Sequence, residues 1–219
     1  PLHAGDKVLQ KTPMSFDASV WEFFAPLMSG AQLVLAEPNG HKDPFYLVET
    51  VIKQEITTLQ LVPTVLNIML DIDDARQMNS LKRVFCGGES LTRELQSRFL
   101  ETLSFASLYN LYGPTETTID ASWTQADKVV SSATVPIGRP IINTRIYVLD
   151  KYHQAVPIGV MGEIYISGVG LASGYLNQPA LTDEKFIPDI VKSREKMYQT
   201  GDMGRFLLDG QIEFLGRYD

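Results

Sequence analysis

Cysteine is nearly missing from this chain: Cys86 stands alone among 219 residues. No internal disulfide can form, and its place in an apolar run before two glycines reads as a small core residue rather than a nucleophile, in a thiol-reducing cytoplasmic setting. Histidine is almost as scarce. His3, His41 and His153 are scattered without metal-ligand spacing, which argues against a zinc site or a histidine-based triad. Basic charge is also short. With 19 Lys and Arg against 26 Asp and Glu, the formal net charge is -7, the wrong sign for nucleic acid or an anionic membrane surface. No apolar run approaches bilayer length, the first residues do not read as a signal peptide, and neither an internal repeat nor a low-complexity linker is present.

The densest local signal is Asn110-Leu-Tyr-Gly-Pro-Thr-Glu-Thr-Thr118. Apolar residues lead into a turn at Gly113-Pro114, and three hydroxyls and an acid follow it. Such a stretch suits a nucleotide site at a strand end: the Tyr112 ring can stack on a base, hydroxyls can donate to phosphate oxygens, and Glu116 can hold Mg2+. Taken alone, the same residues fit an ordinary turn with a polar tail.

Around this stretch, helix and strand signals alternate. A helix is expected from about Asp17, kinked or shortened by Pro26 and stopped at Gly30. Asp17 and Trp21, four apart, share one face of it; Asp17 also suits a plain N-cap. Strands are expected over residues 32–36, 57–61, 83–86 and 107–111, with helices over 44–54, 63–70 and 90–100, while residues 1–12 read as polar and irregular. This pattern predicts an α/β fold, a mostly parallel flavodoxin-like sheet with flanking helices over residues 1–134. In such sheets ligands bind beyond the carboxyl ends of strands, where Gln60, Phe85, Gly87 and Leu111 lie. Residues 135–219 read instead as a smaller distorted β-barrel subdomain. Strand-like runs at 146–149, 163–167, 205–208 and 211–215 include a hairpin at Asp209-Gly210, with little helix beyond residues 180–186.

Several motifs in order carry a more specific signal: Phe16-Asp-Ala-Ser-Val-Trp21, the 110–118 stretch, Gly162-Glu-Ile-Tyr-Ile-Ser-Gly-Val-Gly-Leu-Ala-Ser-Gly-Tyr175, Tyr198-Gln-Thr-Gly-Asp202 and Gly216-Arg-Tyr-Asp219. Together they resemble the adenylation domain of nonribosomal peptide synthetases, within the adenylate-forming superfamily of acyl-CoA synthetases and luciferases. The resemblance implies a central portion of such a domain. The family's phosphate loop would lie upstream of Pro1, and its C-terminal lysine domain beyond Asp219, the hinge aspartate. It implies ATP and Mg2+ as cofactors, an amino acid as substrate, and a carrier protein with a phosphopantetheine arm as partner. An amino-acid carboxylate would attack the α-phosphorus of ATP, so no activated Ser, Cys or His is needed, and catalysis rests on positioning and charge.

By the same resemblance, Tyr112 stacks on adenine with Gly88 and Asn110 around the base, Thr115 touches phosphate and Glu116 binds Mg2+. Asp202 accepts from the ribose hydroxyls and Arg217 lies near ribose and phosphate; alone, these two would read as a turn residue and a solvated cation. Asp17 pairs with the substrate ammonium, which fatty or aryl acids do not offer. The remaining pocket positions are Ala18, Trp21, Gln60, Phe85, Gly87, Leu111, Ile119 and Asp120. Two polar ends, Gln60 and Asp120, among apolar walls suit glutamine best, with glutamate and then a cationic side chain behind it. Two alternatives remain: an acyl- or aryl-acid ligase of the superfamily, and a non-catalytic amino-acid-binding specificity subdomain.

Overall fold

A computed structural model describes residues 1–130 and 132–218; the expected hinge aspartate Asp219 lies outside them. Strand and helix alternate through β1 (Lys7–Gln10), α1 (Ala18–Met28), β2 (Gln32–Leu35), α2 (Pro44–Gln54), β3 (Thr58–Leu61), α3 (Pro63–Leu70), β4 (Arg83–Cys86), α4 (Arg93–Thr102) and β5 (Ser107–Tyr112). A 3-10 turn at Thr115–Thr117 precedes β6 (Ser122–Gln125), β7 (Arg139–Pro140), β8 (Thr144–Leu149) and β9 (Gly162–Gly168). The rest is α5 (Pro179–Lys185), β10 (Phe186–Pro188), β11 (Lys196–Phe206) and β12 (Ile212–Arg217). One mostly parallel sheet has the order β2-β1-β3-β4-β5-β6-β7; a second, antiparallel and curled, has the order β10-β11-β9-β8, with β12 paired to β11. This is the expected mixed α/β architecture. The chain divides into two compact units, Pro1–Asn110 with Gln125–Val135, and Leu111–Thr124 with Pro136–Asp219. Among the described residues, no helix is long and apolar enough to cross a membrane.

Helix starts in the first unit follow local chemistry. Asp43 Oδ1 accepts from the N–H groups of Phe45 and Tyr46 at 3.0 and 3.2 Å, with Pro44 in the first turn. α4 begins at Arg93, later than expected, because Thr92 is the residue that caps it, accepting from Leu95 N at 3.2 Å. α1 runs on through Pro26 to Met28. The N–H that proline lacks falls in the last turn, where Ser29 N closes onto Ala25 O and Pro26 O. The polar reading of residues 1–12 missed β1: Val8 and Leu9 are fully buried, but two apolar residues between Lys7 and Gln10 form no period.

The core of this unit fills the space between sheet and helices with Leu47, Val51, Leu59, Leu66, Phe99 and Leu108 among others, and Cys86 is part of it. Burial pushes the Cys86 thiol up to about 12, which leaves it protonated and inert. Two buried carboxylates pin the sheet. At the amino ends of the strands, Asp6 takes Lys82 Nζ at 2.9 Å, Arg83 Nη1 at 3.2 Å and Thr57 Oγ1 at 3.2 Å. On α1, fully buried Glu22 accepts from Lys11 N, Thr12 N and Thr12 Oγ1 at 3.1, 2.9 and 2.7 Å. That grip fixes α1 to the segment leaving β1.

In the second unit, residues of β9 alternate between two apolar clusters. Ile164 and Ile166 join Ile146, Ile137, Ala121 and Ile212, whereas Tyr165 faces Leu149 and Met197. The hairpin at Asp209-Gly210 forms as expected, pairing Phe206 with Ile212. β11 is much longer than the run 205–208, because it absorbs a bulge. Between the pairs Gln199↔Tyr165 and Met203↔Glu163 it advances four residues while β9 advances two. Thr200 fills the gap: its Oγ1 donates to Ile164 O at 2.7 Å and accepts from Asp202 N at 2.9 Å, with Gly201 at φ +75 between them. The Thr-Gly-Asp motif is therefore a strand interruption that re-aims Asp202.

Candidate functional site

In the first unit the candidate residues gather where α1 begins and where β3 and β4 end. Asp17 occupies the N-cap position of α1 but makes no side-chain cap bond. Its Oδ2 is buried and has no hydrogen-bond partner among the described residues, so simple helix capping does not account for it. Ala18 follows, and one turn on, Trp21 donates its indole N–H to Gln60 Oε1. The Trp21 ring meets Phe85 edge-on at 5.4 Å, and Phe85 lies 5.1 Å from Tyr109. Gln60 and Phe85 are register partners in adjacent strands, and Gly87 closes β4 with its N–H on Leu61 O at 3.3 Å. An indole nitrogen can only donate. The Gln60 carbonyl must therefore face Trp21, and its NH2, which makes no hydrogen bond among the described residues, faces away. Gly88 adopts φ +83. Asn110 is buried and donates Nδ2 to Val135 O at 3.1 Å.

The second unit holds Leu111, Ile119, Asp120 and the polar candidates. Gly113 is required where it stands: a Cβ there would lie 2.4 Å from Ile119 O and 2.7 Å from Ala121 N. Past the 3-10 turn, Thr118 and Ile119 take φ +65 and φ +70, a region that β-branched residues enter only when their surroundings force it. Thr117 and Thr118 use their hydroxyls inside the fold, on Pro114 O at 2.9 Å and Gly170 O at 2.6 Å. Thr115 is exposed and keeps its hydroxyl out of such bonds. Tyr112 Oη donates to Asp202 Oδ2 at 2.6 Å, and Arg217 Nη1 lies 3.4 Å from Asp202 Oδ1. Burial and then the Asp202 charge raise the Tyr112 phenol well above its ordinary value, so it stays a neutral donor.

Two residues without an expected role surround Glu116. Tyr175 Oη donates to Glu116 Oε1 at 2.6 Å, and the Tyr198 hydroxyl lies 3.2 Å from that of Tyr175. Both phenols are raised by burial first; next, the Glu116 bond raises Tyr175 against an opposing effect of Tyr198, and Tyr175 and Glu116 both raise Tyr198. They sit inside the quoted Gly162–Tyr175 and Tyr198–Asp202 motifs, so the signal was in view, but nothing in spacing tied either to Glu116. Among the described residues, no cluster of three or more His, Cys, Asp or Glu could hold a metal ion by itself. A single half-buried carboxylate instead fits Mg2+, which is commonly held by one or two carboxylates plus substrate phosphates.

The sequence matches the AMP-binding enzyme family over residues 1–176. Along all of its residues it is 51% identical to tyrocidine synthase 3 of Brevibacillus parabrevis, of which it spans only 3%. Among solved structures, it is similar to the nonribosomal peptide synthetase FmoA3 in its alpha-methyl-L-serine-AMP bound form. That match has a TM-score of 0.92 and 32% identity over 99% of this chain and 25% of that one. The Vibrio cholerae adenylation domain AlmE, solved with glycyl-adenosine-5'-phosphate, matches at a TM-score of 0.88 and 30% identity over 100% of this chain and 41% of that one. The chain thus covers a minor part of each of these proteins. It belongs to the AMP-binding enzyme family, and its fold is that of the adenylation domains of nonribosomal peptide synthetases.

Proposed function

We propose that this chain is the substrate-selecting part of an amino-acid-activating adenylation domain, and that the amino acid is glutamine. The substrate carboxylate oxygen bonds to the α-phosphorus of ATP as the bond to the β-phosphate oxygen breaks, giving aminoacyl-AMP and pyrophosphate. The aminoacyl group then passes to the phosphopantetheine thiol of a carrier protein. Asp17 holds the ammonium, which leaves the carboxylate as the free nucleophile. Gln60 donates its NH2 to the side-chain carbonyl of glutamine, and Asp120 accepts from the side-chain NH2. Ala18, Trp21, Phe85, Gly87, Leu111 and Ile119 shape the apolar remainder.

Tyr112 offers its ring to adenine, with Gly88 and Asn110 beside the base. Asp202, carried on the bulge, accepts from ribose hydroxyls, and Arg217 adds positive charge there. Thr115 donates its free hydroxyl to a phosphate oxygen. Glu116 holds Mg2+, which when bound neutralises phosphate charge and helps align the leaving pyrophosphate. Both AMP-bearing relatives carry an aminoacyl group, which supports this reading of the ligand.

The observation that carries the proposal is the buried, unpartnered Oδ2 of Asp17. Burying an acceptor without a donor costs about 1–3 kcal/mol, and a substrate ammonium would remove that cost. In the intact protein that carries this chain, Asp17→Asn should lower glutamine-dependent pyrophosphate exchange by roughly 30- to 5000-fold in kcat/KM, the range for losing one partner of a buried charge pair, and ATP affinity should hold. Unchanged exchange with carboxylic acids lacking an amine would instead identify an acyl- or aryl-acid ligase.

A further inference from the structure

The hydroxyl chain ending on Glu116 decides how that carboxylate can meet a cation. A phenol carries one proton. Tyr175 spends its proton on Glu116 Oε1 at 2.6 Å, so across the 3.2 Å contact it can only accept from Tyr198, whose single proton faces both Tyr175 and Glu116. Both phenols therefore turn their donors toward the carboxylate of Glu116. The 2.6 Å separation is that of a charge-assisted O–H···O bond, stronger than a neutral one. It takes one lone pair of Oε1 and draws electron density toward that oxygen.

The frame around the chain holds it in place. Phe186 packs between the two rings, 5.6 Å from Tyr175 and 5.1 Å from Tyr198. Tyr175 N donates to Thr182 Oγ1 at 2.9 Å, tying the tyrosine to α5. Just before it, Gly174 takes φ +140, and a Cβ there would come within 2.3 Å of Thr182 Cγ2. The backbone of Glu116 is held by the same loop, with Ala172 N on Glu116 O at 2.8 Å. The glycine-rich segment 168–175 thus grips Glu116 at both its backbone and its side chain.

We infer that Tyr175 is a positioning residue that makes Glu116 a one-oxygen ligand, so that the site favours Mg2+ over Ca2+. The inference rests on the proposal that Glu116 is the cation ligand. Mg2+ demands near-octahedral geometry with short bonds and suits a carboxylate bound through one oxygen. Ca2+ is larger, takes more ligands and readily uses both oxygens of a carboxylate. A donor on Oε1 competes with the two-oxygen mode and so weights the carboxylate toward binding through one oxygen.

Calorimetric titration of the intact protein with Mg2+·ATP and with Ca2+·ATP tests this without reading turnover. Wild type should prefer the Mg2+ complex. Tyr175→Phe should narrow that preference by about tenfold, chiefly through tighter Ca2+·ATP binding. Tyr198→Phe keeps the Tyr175 bond to Glu116 while removing the Tyr198 hydroxyl that faces both, so it should move the ratio the same way by roughly twofold to threefold; it carries the test if Tyr175→Phe does not fold. A ratio unchanged in both variants overturns the role of Tyr175 alone. If Glu116→Gln binds both complexes as wild type does, Glu116 is not the cation ligand, and the proposed metal role falls with the inference.

Discussion

A side chain at an N-cap position normally spends its oxygen on the first turn of the helix, and Asp17 does not. The same withholding recurs at Gln60, whose carbonyl is taken by Trp21 while its NH2 is left over. Sequence alone could place both residues, since four-residue spacing and a strand end are legible. It could not show which atoms would be consumed by neighbours, because that depends on rotamers set by packing. Gln60→Leu separates the two duties of this amide. The variant strands the Trp21 N–H and should cost about 1–2 kcal/mol of stability in chemical denaturation. It should also cut selectivity for glutamine over leucine by roughly tenfold in pyrophosphate exchange. Lost stability with selectivity intact would make Gln60 a purely structural partner of Trp21.

Among elements, the parallel strands and their helices were readable from the alternation of apolar runs with Pro and Gly, and α2 and α3 begin and end where expected. The strands β6, β7 and β10, two to four residues long, were not expected, and two further misreadings share a cause. β1 is too short to show a period, and the early half of β11 hides its strand character behind Thr200, Gly201 and Asp202, which read locally as a turn. Bulges break the two-residue alternation by which strands are recognised. The loop after β5 depends on an equally local demand. Gly113→Ala would drive a methyl into the backbone at Ile119 and Ala121, which cannot step aside as a flexible side chain would. We expect a loss of about 3 kcal/mol or more in stability, together with weakened ATP binding by calorimetry; an unperturbed unfolding midpoint would show that the loop tolerates another path.

For the molecule as a whole, the acid limit should be set partly by Asp6. Burial opposes its ionisation, but the Lys82 hydrogen bond, the His3 N–H and Arg83 outweigh that and hold its carboxyl at about 2 against an ordinary 3.8. A depressed folded value contributes stability that is present above pH 3.8 and drains away as pH falls through 2. The shift corresponds to about 2 kcal/mol. Asp6→Asn should therefore lower stability at neutral pH and flatten its pH dependence between roughly pH 4 and 2, followed by urea denaturation; an unchanged slope would assign acid sensitivity elsewhere. Local sequence patterns do not reveal this clamp, since Asp6 and its partners Lys82 and Arg83 are 76 and 77 positions apart.

The sealed sulfur at Cys86 bears on the chemistry in a different way. Mixed anhydrides of carboxylic and phosphoric acid are strong acylating agents, and a sulfur anion is what they modify most readily. With its lone thiol kept neutral inside the core of the first unit, the described chain offers such a product no competing thiolate of its own. An acylating product in contact with these residues would find no thiolate among them to take its acyl group.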